Sequence, residues 1–215
     1  MTSKLLPLSG AAAVVLIVAS FAAAGSVPKQ DAPTSELVSF YADHDTGQLV
    51  SASVLSLGAL LFLVFVAILG ETLRHREGTG RAAWTLCVSG GIVFVVGLTI
   101  FAGLTIALGD VATDLDPSAL QALHVLNQEM FFPVTIGVAA FLFGAGTAVL
   151  QGAPLPRWLG WSAIAVGVIG AVPSHVLGGV LDHIGFGGFI GLAVWTLIVS
   201  VLLTVRARPS VREVS

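Results

Sequence analysis

Four side chains in this sequence are of the types that bind a divalent metal: His124, His175, Asp182 and His183. Imidazole nitrogens and carboxylate oxygens are common zinc ligands, and a zinc-bound water could hydrolyse a lipid at the outer leaflet. His175 and His183 are eight residues apart, which on one continuous helix separates them by about 80° and ~12 Å. That separation is too large for one ion unless Gly178-Gly179 bends the segment. We favour solvated loop residues as the interpretation and keep the zinc site as the alternative.

Other catalytic patterns are missing from the sequence. It has no Gly-rich phosphate-binding loop, no His-Glu-x-x-His and no Gly-x-Ser-x-Gly. Its single cysteine, Cys87, lies in an apolar segment and has no partner for an intrachain disulfide. The net charge of −3 provides no basic surface for nucleic acid. We therefore expect a structural, accessory or small-ligand-binding role without a cofactor. A zinc-dependent membrane hydrolase is the alternative.

The elements that must position these residues are membrane-spanning helices. Hydrophobic residues make up 56% of the 215 residues and charged residues only 10%, whereas about a quarter of a soluble domain is charged. A helix needs about 20 apolar residues to cross the hydrocarbon core. Six such segments occur, at about 5–25, 50–73, 82–108, 130–151, 158–177 and 185–205. We predict an all-α polytopic bundle of six spans, with residues 1–215 forming a single transmembrane domain.

Charged residues are divided unequally between the two sets of loops. Eight of the nine Lys/Arg lie on one side, whereas nine of the twelve acids and four of the five histidines lie on the other. Short cytoplasmic loops carry the Lys/Arg excess in membrane proteins. The pattern therefore predicts a plasma (inner) membrane protein with both termini in the cytoplasm and outer loops at about 26–49, 109–129 and 178–184.

The first apolar segment also has features of a cleavable secretory signal. Lys4 precedes an apolar run that ends in small residues at 22–24. However, the run of about 21 residues is longer than a typical signal core and long enough to span the membrane. We expect this segment to remain as the first span.

The first outer loop contains the pattern of a short amphipathic helix. Thr34 or Ser35 could cap it, with Glu36 in its first turn. Its apolar face would consist of Leu37, Val38, Phe40 and Tyr41. Such a helix would lie on the outer membrane surface or cover the bundle.

The second outer loop contains a stronger helix start, because Asp116-Pro117 places an N-cap acid before a proline at the first helical position. Polar side chains then recur every three or four residues: Gln121, His124, Asn127 and Gln128. We favour the interpretation that this stripe faces water; a polar wall of an outward-facing cavity is the alternative. Pro133 should kink the fourth span near its outer end.

Small residues repeat every four positions in three spans: Ala140 and Gly144, then Ala163, Gly167 and Ala171, then Gly187 and Gly191. Such residues let helices approach closely. We favour packing within one bundle surrounded by lipid. A homo-oligomer or a membrane-protein partner through these faces is the alternative.

A third possible function is a facilitator or channel. It would require a continuous polar path along the hydroxyl residues of the spans, which are Ser53, Ser56, Ser89, Thr99, Thr105, Thr135 and Thr147.

Three stretches of the sequence resemble a known group of proteins. These are FYADH (Phe40–His44), Asp116-Pro117 followed by Phe132-Pro133, and LPRWLGW (Leu155–Trp161). They are similar to small integral membrane proteins of about six helices that are common in actinobacteria and are classed as a domain of unknown function. The resemblance covers about 5–205 and implies an inner-membrane location, with no site residues. Within LPRWLGW we expect Arg157 to reach lipid phosphates, and Trp158 and Trp161 to lie at the inner membrane boundary.

Overall fold

The computed structural model describes residues 5–74, 81–112, 114–171 and 182–206, with side chains throughout except at 182–186. All regular structure in these ranges is helical, which confirms the predicted all-α class. A 3-10 turn at Leu6–Leu8 precedes the first helix. The α-helices are α1 (Ser9–Ala24), α2 (Thr34–Asp43), α3 (Asp45–Arg74), α4 (Arg81–Val111), α5 (Pro117–Glu129), α6 (Phe131–Leu150), α7 (Arg157–Ala171) and α8 (Asp182–Arg206).

Five helical stretches in the described residues are long and apolar enough to cross a membrane. They are Leu6–Ala24, Asp45–Arg74, Arg81–Val111, Pro117–Leu150 and Gly187–Arg206. These stretches coincide with the predicted first, second, third, fourth and sixth spans, so a multi-pass helical architecture is confirmed. Helix α7 has 15 residues, about 22 Å at the α-helical rise. The rest of the predicted fifth span, 172–177, lies outside the described residues.

The long helices extend beyond the predicted spans at the end of the bundle that holds the acids. Helix α3 begins at Asp45 rather than near 50, and α4 continues to Val111 rather than 108. Hydropathy detects only the apolar part of a helix, whereas an acid in the first turn stabilises the helix terminus. The predicted loop 26–49 therefore contains all of α2 and the first turn of α3.

The six long helices pack as a closed ring. Helix α1 contacts α3, followed in order by α4, α6, α7 and α8, and α8 returns to α1. The ring closes where Gly10 of α1 lies against Ser200 of α8, so closely that an added Cβ would overlap the serine hydroxyl. Consecutive helices that are joined by short turns, such as α6 and α7, run in opposite directions. The closing contact brings together the first and last helices of the described chain.

Aromatic side chains fill the centre of this ring. The ring centroid of Phe62 lies 4.8 Å from that of Phe94 and 5.4 Å from that of Phe141. Phe141 in turn meets Trp195 edge-on at 5.9 Å. These four side chains are buried and connect α3, α4, α6 and α8 through one core.

Glycines allow α4 and α6 to touch through their backbones. A Cβ added at Gly90 would overlap the backbone nitrogen of Phe141, and one at Gly144 would overlap that of Cys87. Two other predicted small-residue positions, Gly167 and Gly191, also have neighbours within the chain. A Cβ at Gly167 would lie 3.4 Å from Leu142, and one at Gly191 would meet Val166 at 2.5 Å. The expected packing within one bundle is confirmed at these positions.

Charge is segregated between the two ends of the bundle. We call one end the cationic end, because Arg74, Arg81, Arg157 and Arg206 all lie at helix termini there. Glu71 is the acid described at this end, and its carboxylate lies 3.9 Å from the Arg74 guanidinium. The opposite, acidic end carries the other acids of the described helices, including Asp45, Asp110 and Asp116.

Candidate functional site

The acidic end of the bundle is covered by α2 and α5, which pack against each other. We call these two helices and residues 26–33 the cap. Its apolar residues Leu37, Tyr41 and Leu120 form one buried cluster with Leu108 of α4 and with Ala112, which follows α4. Val38 and Phe40 pack against this cluster. The predicted amphipathic helix is therefore confirmed, and of the two predicted positions it takes the one over the bundle.

The start of α2 differs from the prediction. Its N-cap is Pro33, without a side-chain cap, and Thr34 and Ser35 lie within the helix. Proline supplies a fixed φ that suits a helix entrance without needing a capping hydroxyl. In the next residue after α2, His44, the side-chain Nδ1 lies 2.9 Å from the Phe40 carbonyl oxygen of the same helix.

Helix α5 begins and ends where the sequence predicts. Its N-cap Asp116 accepts a hydrogen bond of 2.9 Å from the backbone N–H of Ser118. The side-chain and backbone hydrogen bonds of Ser118 hold the pKa of Asp116 below its usual value. The helix is interrupted at Met130, because Pro133 has no N–H and its ring crowds the carbonyl of residue 129. The expected kink is confirmed.

The interruption leaves α6 as a helix that is long enough to cross the hydrocarbon without α5. Pro117–Leu150 would measure about 51 Å as one straight helix, compared with ~30 Å for a hydrocarbon core. Helix α6 alone is 20 residues and long enough to span. We therefore treat α6 as the spanning segment and α5 as part of the cap.

Two glutamines attach the linker 26–33 to α5. The amide of Gln121 donates to the Gln30 carbonyl oxygen at 2.8 Å. The amide of Gln30 donates to the carboxylate of Glu129 at 2.9 Å. The linker therefore lies along α5 and covers the helix face between these two points.

His124 is the most enclosed polar residue of the cap, with no exposed surface. Its Nδ1 lies 2.9 Å from the Tyr41 hydroxyl, and the two rings meet edge-on. Its Nε2 is buried without a hydrogen-bond partner among the described residues. Burial lowers the pKa of His124, while the carbonyls of Lys29 and Pro28 oppose that shift. The ring is therefore neutral near pH 7.

Tyr41 also remains neutral, because burial raises its pKa to about 12. The carbonyls beside His124 can only accept hydrogen bonds, so the tautomer with its proton on Nε2 suits this environment. Tyr41 then donates its hydroxyl proton to Nδ1. The Nε2–H then faces the carbonyls of Lys29 and Pro28, but neither carbonyl forms a hydrogen bond of good geometry with it.

Asn127, one turn along α5 from His124, also has a buried polar atom without a partner among the described residues, but this atom is an acceptor rather than a donor. The residue is 5% exposed, and the atom is its side-chain oxygen Oδ1. Together with Leu120, His124 and Asn127 form the buried face of α5. The favoured expectation that the stripe faces water is thus wrong for its two central residues. Periodicity correctly grouped them on one face, but the linker and α2 cover that face.

Beneath the cap, polar side chains join α3 to the end of α1. The amide of Gln48 donates to the Ala24 carbonyl oxygen at 2.9 Å, and the Ser51 hydroxyl donates to that of Ser20 at 2.8 Å. Both side chains are buried. Nothing in the sequence indicated these contacts, which satisfy backbone carbonyls at the end of a span.

The predicted zinc ligands are divided between described and undescribed regions. His124 lies in the cap, His175 lies outside the described residues, and Asp182 and His183 start α8 at positions whose side chains are not described. Within the described part of the chain, no group of three or more His, Cys, Asp or Glu side chains is placed to hold a metal. The four-residue zinc site therefore stays a prediction.

Most of the hydroxyl residues proposed for a polar path are exposed or hydrogen-bonded within their own helix. Ser53, Ser89 and Thr99 are exposed on the outside of the bundle. Thr105 is buried and donates to the Phe101 carbonyl of its own helix at 2.9 Å. Similar bonds within one helix are made by Ser53, Ser56, Thr99 and Thr135. The exposed positions of Ser53, Ser89 and Thr99 do not line the interior of the bundle.

No family model, no curated protein and no solved structure matches this chain.

Proposed function

We propose that this chain is a six-span protein of the plasma membrane, with both termini in the cytoplasm and the cap on the outer face. The segregation of charge supports this orientation, because cytoplasmic loops carry the Arg/Lys excess. The resemblance to actinobacterial membrane proteins supports the location. Helix α7 would belong to the fifth span, predicted from the sequence at about 158–177, in addition to the five apolar stretches described above.

Cysteine labelling tests this orientation. Asp43→Cys and Arg206→Cys would be made separately in a Cys87→Ala background, so that each variant carries a single thiol. The native thiol that this background removes is buried. A membrane-impermeant maleimide should label position 43 in intact cells and position 206 only after lysis. The opposite pattern, or labelling of both positions from outside, would overturn the proposed topology.

The role that the geometry supports best is non-catalytic binding of a small polar ligand beneath the cap. The observation that carries this proposal is the pair of unpartnered polar atoms on α5, Nε2 of His124 and Oδ1 of Asn127. A buried polar group without a partner costs about 1–3 kcal/mol. A bound molecule that fills both hydrogen bonds would recover that free energy.

The two atoms also indicate the chemistry of the ligand. Asn127 Oδ1 is an acceptor, and His124 Nε2 carries a proton in the tautomer that its carbonyl neighbours favour. One ligand that meets both must accept one hydrogen bond and donate another. A small molecule with a hydroxyl or a primary amide group satisfies this requirement.

Analysis of co-purified small molecules tests the proposal. The wild type and His124→Ala would be purified in mild detergent and denatured, and the released molecules would be measured by mass spectrometry. We expect a hydroxyl or amide compound at about one per wild-type chain and its loss from His124→Ala. His44→Ala is the matched control, because that histidine is exposed and the hydrogen bond described for its side chain is to Phe40, one turn earlier in α2. No released compound, or equal amounts from both histidine variants, would refute the proposal and leave water as the partner.

One observation favours zinc-dependent hydrolysis as a second candidate. A metal-bound histidine usually has its other ring nitrogen hydrogen-bonded to an orienting group, and Tyr41 occupies that position beside His124. This function requires the other tautomer, in which Nδ1–H donates to the Tyr41 oxygen. Elemental analysis tests it: one zinc per chain, lost in both His124→Ala and His183→Ala, would replace the ligand-binding proposal.

A further inference from the structure

Two arginines are associated with the turn between α6 and α7 at the cationic end. Arg206, the last residue of α8, donates a hydrogen bond from Nη1 to the carbonyl oxygen of Pro154, in the turn between α6 and α7. Arg157 begins α7 only three residues later. Three peptide units separate the Cα atoms of Pro154 and Arg157 by at most ~11 Å. Arg157 therefore starts α7 close to the turn that Arg206 contacts, and we call this part of the cationic end the corner.

The elements that carry these arginines are fixed to each other. The indole Nε1 of Trp195 on α8 donates to the Leu159 carbonyl oxygen in the first turn of α7, at 3.0 Å. Both of these residues are buried. The start of α7 is thus held to the middle of α8 by a hydrogen bond in the interior, eleven residues before Arg206.

Within the described residues, Arg157 and Arg206 have no ion-pair partner. Glu71, the acid described at this end, lies 3.9 Å from Arg74, and the Arg74 guanidinium lies 5.6 Å from the centroid of the Trp84 ring. Arg206 uses one of its five N–H groups for Pro154, which leaves four donors for another acceptor. The corner therefore presents positive charge without a described counter-charge.

The same corner has exposed indoles on its lipid-facing side. Trp158 is 55% exposed and Trp161 is 63% exposed, one turn apart on α7. Val168 continues this apolar face along the helix and is 53% exposed. Tryptophan is enriched where acyl chains meet headgroups, so the face below the two guanidinium groups suits an acyl chain.

We propose that this corner is a binding site for one anionic phospholipid. The headgroup phosphate would bind between Arg157 and Arg206, and an acyl chain would lie along Trp158, Trp161 and Val168. Guanidinium groups bind phosphate oxygens through paired, charge-assisted hydrogen bonds. The negative charge of the lipid complements the two arginines, and the indoles select a lipid over a free anion. The site depends on the chain spanning a membrane, but not on which leaflet contains the corner or on a ligand at His124.

Native mass spectrometry of the intact protein in detergent tests the site, with phosphatidylglycerol and phosphatidylcholine as the added lipids. We expect one tightly bound phosphatidylglycerol and weaker phosphatidylcholine binding. Arg157→Gln and Arg206→Gln should each lower phosphatidylglycerol affinity about fivefold, the effect of one arginine near an anionic lipid surface. Arg81→Gln is the matched control, because it removes the same charge at the cationic end but on α4. It should change affinity less than twofold.

Two further measurements complete the design. Arg157→Lys keeps the charge but loses the paired hydrogen bonds, so its affinity should lie between those of the wild type and Arg157→Gln. A large excess of inorganic phosphate should displace little lipid, since it lacks an acyl chain. Equal binding of the two lipids, or equal losses in Arg157→Gln and Arg81→Gln, would overturn the site. Efficient displacement by phosphate would show an anion site without lipid selectivity and would equally overturn the proposal.

Discussion

The Tyr41 hydroxyl lies 2.9 Å from Nδ1 of His124, although 83 positions separate the two residues in sequence. This hydrogen bond joins α2 to α5 in the buried interior of the cap. It fixes the orientation of the imidazole and thereby places Nε2 toward the linker carbonyls. The cap is thus held by a specific polar contact as well as by apolar packing.

Replacing Tyr41 by phenylalanine should loosen the cap. The substitution keeps the ring but leaves Nδ1 of His124 without its partner, which costs about 1–3 kcal/mol for a buried group. Hydrogen exchange of α2 amides, measured by mass spectrometry, should become faster, while exchange in α4 stays unchanged. The same substitution in a His124→Ala background should have a smaller effect. Equal effects in both backgrounds would show that the hydrogen bond does not stabilise the cap.

Acidification should destabilise the wild type through His124. Burial lowers the pKa of the folded state below the usual 6.5, so the unfolded chain binds more protons in the interval between the two values. Stability therefore rises with pH across that interval and is complete above about 6.5. Thermal melts from pH 8 to pH 5 should show a steeper loss below 6.5 for the wild type than for His124→Gln. Parallel curves for the two proteins would contradict the assignment.

Two glycines of α4 should respond in opposite ways to alanine. A Cβ at Gly90 overlaps the backbone of α6, whereas one at Gly103 meets no heavy atom within 4 Å. Gly90→Ala should lower the free energy of unfolding by about 1–3 kcal/mol through overpacking. Gly103→Ala should leave it unchanged or raise it by up to ~1 kcal/mol through helix propensity. Unfolding in mixed detergent micelles measures both, and similar effects would contradict the α4–α6 contact.

The N-cap of α5 should depend on an acceptor at position 116. Asp116→Ala removes the oxygen that accepts from the Ser118 N–H, so the first turn of α5 should fray and its amides exchange faster. Asp116→Asn retains an acceptor and is the matched control, because asparagine is an equally good N-cap. Equal exchange rates in the two variants would show that Pro117 alone defines the helix start.

The candidate site was predictable only in part. His124 was singled out because imidazole binds metals, and Asp116-Pro117 correctly located the helix that carries it. Tyr41 was recognised only as part of an apolar face, since an amphipathic pattern does not reveal which polar group a hydroxyl will meet. The 3.6-residue period placed His124 and Asn127 together, but the favoured prediction exposed them to water. The pattern identifies residues that share a face and contains no information about what covers it.

The positions of the helices and the distribution of charge followed from the amino-acid sequence alone. Apolar length is a local property, so the spans followed from it, and short turns made neighbouring helices antiparallel. The arginines at one end and the acids at the other followed from the positions of the charges between apolar segments. The tertiary structure decided the contacts between distant segments: the cap over the acidic end, the burial of the polar face of α5, and the hydrogen bond of Arg206 to the turn before α7. These contacts depend on how helices pack around one another, and that arrangement is fixed by side-chain shape across the whole bundle.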